Sequence, residues 1–174
     1  MDVQVVIRPA TVDDIADVQV ITRAAFADYE RNLGQIGAGN VKALTETPED
    51  IEKDIRTKNV LIGLVNGQPI SSIRFEICGD IAYISRFGVL PTVQKSGIGG
   101  MMLDAVESVC RDKYVKAIAL HTASRMYGQV RFYYGHGYFI HSTTTDRGYI
   151  RALLVHELEM PNNQDYDLGV IMGY

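Results

Sequence analysis

The spacing of apolar residues changes twice between residues 81 and 123, and this change restricts the fold more than any other feature. Ile81, Tyr83, Ser85 and Phe87 occupy alternate positions, which predicts a strand. From Gly97 the apolar residues recur at helical spacing, and residues 116–122 then form a second apolar strand. A strand, helix and strand in this order predict a crossover that places two strands parallel in one sheet.

The first half of the chain carries the signals of an antiparallel meander. Residues 60–65 and 73–77 read as strands, and Asn66-Gly67 between them is typical of a two-residue hairpin turn. Helix starts are predicted at Thr11 and Thr47, because each threonine precedes an acidic first turn. These patterns predict an α/β fold (a mixed α+β sheet) that is mostly antiparallel and flanked by about four helices.

Composition narrows the classes of function. With 174 residues, 47% of them hydrophobic, we expect one domain over residues 3–160 and a tail over residues 161–174. A net charge of −4 argues against nucleic acid as a partner. The chain shows neither a bilayer-spanning apolar run nor a signal-peptide pattern, which predicts a cytoplasmic protein without membrane attachment. Two cysteines form no disulfide framework, and no cysteine or carboxylate cluster accompanies the histidines, so no metal site is predicted.

The segment VLPTVQKSGIGG, from Val89 to Gly100, joins the first of these strands to the helix. Its glycines let a ligand approach the backbone, and a helix N-terminus offers free N–H groups, so a phosphate is the expected ligand. Lys95 and Ser96 precede Gly97, which reverses the order of a P-loop, and Met102 replaces the third glycine of a dinucleotide fingerprint. A glycine-rich turn without a ligand stays open as the alternative.

The loop contains Gln94-x-x-Gly97-x-Gly99, and Phe132-Tyr133 with Gly137-Tyr138 follows the next strand. Together these residues resemble two motifs of the GNAT superfamily of N-acetyltransferases, one of which binds the pyrophosphate of acetyl-CoA. The resemblance implies a GNAT fold with one splayed parallel strand pair, and acetyl-CoA as co-substrate. It assigns the following residues to acetyl-CoA binding: Phe87, Val89, Gln94, Lys95, Ser96, Gly97, Ile98, Gly99 and Gly100.

The resemblance also implies how acetyl transfer takes place. Gly88 indicates either a β-bulge or a close backbone approach, and such a bulge separates the splayed strand from its neighbour. The backbone of Phe87 and Val89 then faces the cofactor, and the Val89 amide polarises the thioester. Tyr133 matches the family's acid tyrosine and is predicted to protonate the departing thiolate. A core tyrosine with no catalytic role is the alternative.

The sequence does not single out one residue as the general base or one segment as the acceptor site. Glu76 and His121 are the candidate bases, and Tyr29 and Glu30 are candidate walls of the acceptor pocket. The glycine-rich loop of residues 33–40 and the turn of residues 143–149 are further walls. Acidic residues near them favour a cationic amine, or form a solvated surface.

These observations predict an N-acetyltransferase that acetylates a primary amine of a small molecule by direct attack in a ternary complex. A protein amino group, at an N-terminus or a lysine, is the alternative acceptor. A non-catalytic CoA-binding sensor is the alternative class. A homodimer is expected, since dimers are frequent in the family that the chain resembles.

Overall fold

The computed structural model describes residues 3–36, 39, 41–159 and 165–173. Within these residues, seven strands form one sheet: β1 (Val5–Pro9), β2 (Asn59–Val65), β3 (Gln68–Cys78), β4 (Ile81–Val89), β5 (Ala117–Ala123), β6 (Phe139–Thr144) and β7 (Arg151–Glu157). Four α-helices flank it: α1 (Ile15–Leu33), α2 (Pro48–Thr57), α3 (Ile98–Asp112) and α4 (Tyr127–Tyr134).

The strand order is β1-β2-β3-β4-β5-β7-β6, and every pair is antiparallel except β4 with β5. Helix α3 forms the crossover between the two parallel strands. The predicted fold class is therefore confirmed: a mixed, mostly antiparallel sheet with one parallel pair and four α-helices.

The hairpin turn and the start of α2 lie where neighbouring residues in the sequence predicted them. Asn66 and Gly67 have φ angles of 49° and 78°, as a tight hairpin requires, and they join β2 to β3. At the start of α2, the Asp50 amide donates to the Thr47 hydroxyl at 3.2 Å, and the Thr47 amide donates to the Asp50 carboxylate at 3.0 Å. This reciprocal cap satisfies two N–H groups that a helix N-terminus leaves free.

The helices divide between the two faces of the sheet. Helices α1 and α2 cover one face, where Val18, Ile51 and Ile62 form a buried cluster. Helix α3 covers the other face, where Met102 and Val106 pack against buried side chains of β3, β4 and β5. The described part of the C-terminal segment also packs on the sheet, because Ile171 is only 1% exposed and contacts a cluster on β4, β5 and β7.

Strand β7 lies between β5 and β6, an arrangement that the sequence pattern did not predict. The residues of β7 from Arg151 to Val155 are all buried, whereas β6 exposes most of its residues. A strand that is apolar on both faces gains most from a central position, and the polar strand becomes the edge. Among the described residues, no helix is long and apolar enough to cross a membrane.

An ion pair at the first helix start gives a test by pH. Arg8 donates two hydrogen bonds to the Asp14 carboxylate, at 2.7 and 2.9 Å, and these lower the pKa of Asp14 to about 2. A lowered pKa stabilises the fold above the ordinary pKa near 4, and this stabilisation disappears as the pH falls towards 2. We expect Arg8→Gln to lower the free energy of unfolding at pH 7 by on the order of 1–2 kcal/mol.

Urea unfolding at pH 7, 5 and 3 measures this effect, and the difference between the two proteins should narrow at pH 3. Arg56→Gln is the control, because Arg56 pairs with Glu52 on the exposed surface of α2 and its loss should cost little at any pH. A difference for Arg8→Gln that does not vary with pH would contradict the assignment.

Candidate active site

The sheet opens between its two parallel strands. Residues Ile81–Ile84 of β4 pair with residues Ala117–Leu120 of β5, and the pairing stops there. Both strands continue, because β4 stays paired with β3 up to Val89 and β5 stays paired with β7 up to Ala123. The divergence leaves a cleft between residues 85–89 and residues 121–123.

A β-bulge lies at the point where the strands diverge. Arg74 pairs with Arg86 and Phe75 pairs with Ile84, so Ser85 is the extra residue of β4. The bulge is therefore not at Gly88. Gly88 provides the close approach that was the other interpretation, since a Cβ there would lie 2.8 Å from the Cβ of Ala25. The glycine allows α1 to lie directly on β4.

Tyr29 bonds to the backbone at the open end of the cleft. The Ala117 amide donates to the Asp80 carbonyl next to β4, so every second amide of β5 is directed towards β4. The Ala123 amide lies beyond the last paired residue, and it donates to the Tyr29 hydroxyl at 2.9 Å. Burial raises the pKa of Tyr29 to about 12. Tyr29 thus supplies the acceptor that the diverging strand no longer offers.

The glycine loop has the backbone geometry of an anion site. Lys95 and Gly97 have φ angles of 64° and 88°, and Gly97 caps the N-terminus of α3. The Ser96 hydroxyl donates to the Val93 carbonyl at 2.6 Å, which holds the turn. The first amide that bonds back into α3 is that of Met101, which donates to the Gly97 carbonyl. None of the amides of residues 94–100 has an acceptor among the described residues.

The three glycines of the loop have different surroundings. A Cβ on Gly97 would lie in open space. A Cβ on Gly99 would approach the Phe132 ring at 3.1 Å, and one on Gly100 would approach the His136 ring at 2.7 Å. Gly99 and Gly100 therefore let α3 pack against aromatic side chains of α4 and the turn after it. This contact between α3 and the aromatic side chains was not predicted from the sequence. Its only signal there is that the glycine motif and the Phe132-Tyr133 motif occur together.

Tyr133 lies in an aromatic cluster beside the cleft. Its side chain is 8% exposed, and its ring contacts Phe132 and Tyr138 with centroid distances of 5.2 and 5.4 Å. Burial raises the pKa of Tyr133, with Tyr29 as a second cause, so the phenol stays protonated at neutral pH. The neighbouring Tyr134 is 52% exposed, as expected from its different direction around the helix.

The structure pairs His121 with Tyr83, a contact that the sequence did not indicate. His121 Nδ1 and the Tyr83 hydroxyl oxygen are 2.8 Å apart and share a hydrogen bond. Burial is the largest cause that lowers the pKa of His121 to about 4, and Arg151 lowers it further. The imidazole is therefore neutral at pH 7 and has a lone pair on one of its nitrogens.

The other predicted site residues lie in different places. Glu76 is on β3 opposite Tyr83, beside the part of the sheet where β4 and β5 are still paired. The Glu30 carboxylate accepts the Gly39 amide at 3.0 Å. The predicted pocket wall at residues 37, 38 and 40 lies outside the described residues. No group of three metal-ligating side chains occurs within the described part of the chain.

Comparison with known proteins gives a family and a fold. A model of the acetyltransferase (GNAT) family matches residues 40–138. Two solved structures, each 15% identical to the chain, have the same fold. The PaiA N-acetyltransferase of Thermoplasma acidophilum in complex with coenzyme A has a TM-score of 0.79, with 88% of this chain and 99% of that chain covered. The ribosomal-protein-S18-alanine N-acetyltransferase of Escherichia coli has a TM-score of 0.67, with 94% and 100% covered. No curated protein matches the sequence significantly.

Proposed function

This chain belongs to the acetyltransferase (GNAT) family, whose members use acetyl-CoA as acetyl donor, and we propose that it acetylates a primary amine of a small molecule. The observation that carries the proposal is the position of the glycine loop. A row of backbone amides with no acceptor among the described residues lies at the N-terminus of α3, directly after the strand that diverges from β5.

The loop fits the pyrophosphate of acetyl-CoA. Consecutive backbone amides and the positive end of the helix dipole favour a doubly charged group. The open space around Gly97 leaves room for phosphate oxygens next to the backbone. Gln94 to Gly100 would hold the pyrophosphate, and the side chains of Lys95 and Ser96 would extend this site.

The backbone of β4 fits the remaining part of the co-substrate. The Leu90 amide donates to the Ile70 carbonyl of β3. Because successive residues of a strand direct their N–H groups to opposite sides, the amides of Phe87 and Val89 are directed towards the cleft. The Val89 amide is therefore suited to bond the thioester oxygen, where negative charge develops during transfer.

Three side chains are candidates for the proton chemistry. Acetyl-CoA provides an activated acetyl group, while an amine with a pKa near ~10 must lose a proton before it can attack. Tyr133 is neutral and placed beside the cleft, so it is our candidate to protonate the departing sulfur. His121, neutral and bonded to Tyr83, and Glu76 are candidates for accepting the proton of the amine.

Titration calorimetry tests the first step of this proposal. We expect acetyl-CoA to bind with a dissociation constant in the micromolar range, and NAD, as the control, not to bind. Equal binding of both, or of neither, would contradict the assignment of the loop.

Release of free CoA thiol then tests the acceptor. A panel of small primary amines should give turnover, and peptides with free N-termini or lysines should give little. Turnover with the peptides alone would favour the protein acceptor. If acetyl-CoA bound without turnover on any acceptor, the sensor would be favoured.

A further inference from the structure

The bulge of β4 is tied to the rest of the protein by a chain of charged side chains. The carbonyl of Ser85, the bulge residue, accepts a hydrogen bond from Arg86 Nη1 at 2.8 Å. The Nε of the same guanidinium donates to the Glu46 carboxylate at 2.8 Å. Glu46 in turn accepts two hydrogen bonds from Arg74, at 2.6 and 3.1 Å. We call Arg74, Glu46 and Arg86 the brace.

The anchor of the brace is fully buried. Arg74 has a side-chain exposure of 0%, and it also donates to Asp54 of α2 at 2.9 Å and to Thr22 of α1 at 3.4 Å. The segment that holds Glu46 is fixed too, because Gln19 donates to the Glu46 carbonyl at 3.1 Å. The brace therefore connects the bulge to both helices on one face of the sheet.

The brace lies at the level of the sheet where the strands diverge. Arg74 and Arg86 are opposite each other on β3 and β4, at the last pair before the register shift. Two like charges directly opposite in a sheet are unfavourable unless a counter-charge lies between them. Glu46 provides that charge, and its position orients Arg86 towards the Ser85 carbonyl.

We propose that Arg86 and Glu46 are positioning residues for acetyl transfer, because they fix the bulge that directs the Phe87 and Val89 backbone into the cleft. This inference rests on the proposed function. The proposed pyrophosphate site lies at the N-terminus of α3, and among the described residues no hydrogen bond joins residues 94–100 to the brace. Loss of the brace should therefore affect the reacting end of the co-substrate far more than its binding.

Two substitutions of Arg86 test the proposal. Arg86→Met removes both hydrogen bonds, and Arg86→Lys keeps the charge but provides one ammonium in place of a guanidinium that bonds two groups. Arg56→Met is the matched control, since Arg56 bonds Glu52 through Nε and Nη2 on the exposed side of α2, away from β4. Each variant is measured for kcat, for KM of the amine, for the dissociation constant of CoA and for hydrogen exchange of residues 81–90.

We expect Arg86→Met to lower kcat by about 10- to 100-fold, since small displacements of reacting groups cost this much. Its dissociation constant for CoA should stay within about threefold of the wild-type value, because the pyrophosphate contacts are unchanged. Amide exchange of Arg86 and Gly88, whose N–H groups are directed towards β3, should become about tenfold faster, because the bulge opens more often without the brace. Arg86→Lys should lie between Arg86→Met and the wild type in all these measurements, and Arg56→Met should match the wild type.

A brace that only stabilised the fold would lower the melting temperature of Arg86→Met without changing kcat or the exchange at positions 86 and 88. That result would overturn the proposal. If Arg86→Met does not fold, Arg86→Lys decides in the same way, with wild-type kcat and exchange as the contrary result. If the wild type itself transfers no acetyl group, the proposed function fails. The exchange measurement then still decides whether Arg86 fixes the bulge.

Discussion

Replacing Tyr133 by phenylalanine is expected to lower kcat by about 100-fold or more, with the affinity for acetyl-CoA nearly unchanged. The phenol is our candidate donor to the departing sulfur, and the substitution removes one oxygen from a side chain that is otherwise held by Phe132 and Tyr138. Because phenylalanine fills the same space, the aromatic cluster and the fold should persist.

Tyr134→Phe is the matched control for this prediction. It makes the same chemical change one residue further along α4, on a side chain that is half exposed, and it should leave kcat at the wild-type level. Steady-state kinetics and calorimetry on both variants separate catalysis from binding. If Tyr133→Phe kept the wild-type kcat, Tyr133 would not be the acid. Tyr133 would then be a core residue without a catalytic role, and water would be the favoured proton donor.

The pH dependence of kcat provides a second test of Tyr133 as the acid. An acid must be protonated to act, and burial raises the pKa of Tyr133 above its usual value near ~10. Ionisation of Tyr133 should therefore not lower kcat below pH 10. A decrease in wild-type kcat above that pH should be absent from the residual activity of Tyr133→Phe. The same decrease in both proteins would assign it to another group.

Gly97→Ala is expected to weaken acetyl-CoA binding by about 10- to 100-fold, the effect of losing about one charge-assisted hydrogen bond. Gly97 has a φ of 88°, where an L side chain is strained, and apart from its chain neighbours the added methyl group would meet no atom of the described residues within 4 Å. The fold should persist, but the amides of the loop would move and the methyl group would occupy space next to the phosphates.

Gly67→Ala separates ligand binding from backbone strain. Gly67 in the β2–β3 hairpin has a φ of 78° and equally open surroundings, so alanine there should lower stability by a similar amount, about 1–2 kcal/mol. Its affinity for acetyl-CoA should equal that of the wild type. Equal affinity in both variants would place the pyrophosphate elsewhere. Gly99 is less suitable for this test, because a methyl group there would contact Phe132.

Much of the fold could be predicted because its signals are local. The Asn66-Gly67 turn depends on the φ preferences of two adjacent residues, and the start of α2 depends on side chains three residues apart. The crossover through α3 follows from the change of hydrophobic period, and its handedness is fixed by the twist of strands. The glycine loop belongs to this group, since its conformation depends on a few consecutive residues.

The tertiary structure alone decided where the sheet opens and what surrounds the opening. Ser85 became the bulge because β3 and β4 pair in a register that many side chains set together, and Gly88 instead admits α1. The bonds from Glu46 to Arg74 and Arg86, and from Tyr83 to His121, join residues 28 to 40 positions apart. No local preference encodes such pairs, because each depends on how separate elements pack after they form. The sequence by itself thus determined the elements and the glycine loop, whereas packing between distant elements determined the cleft beside it.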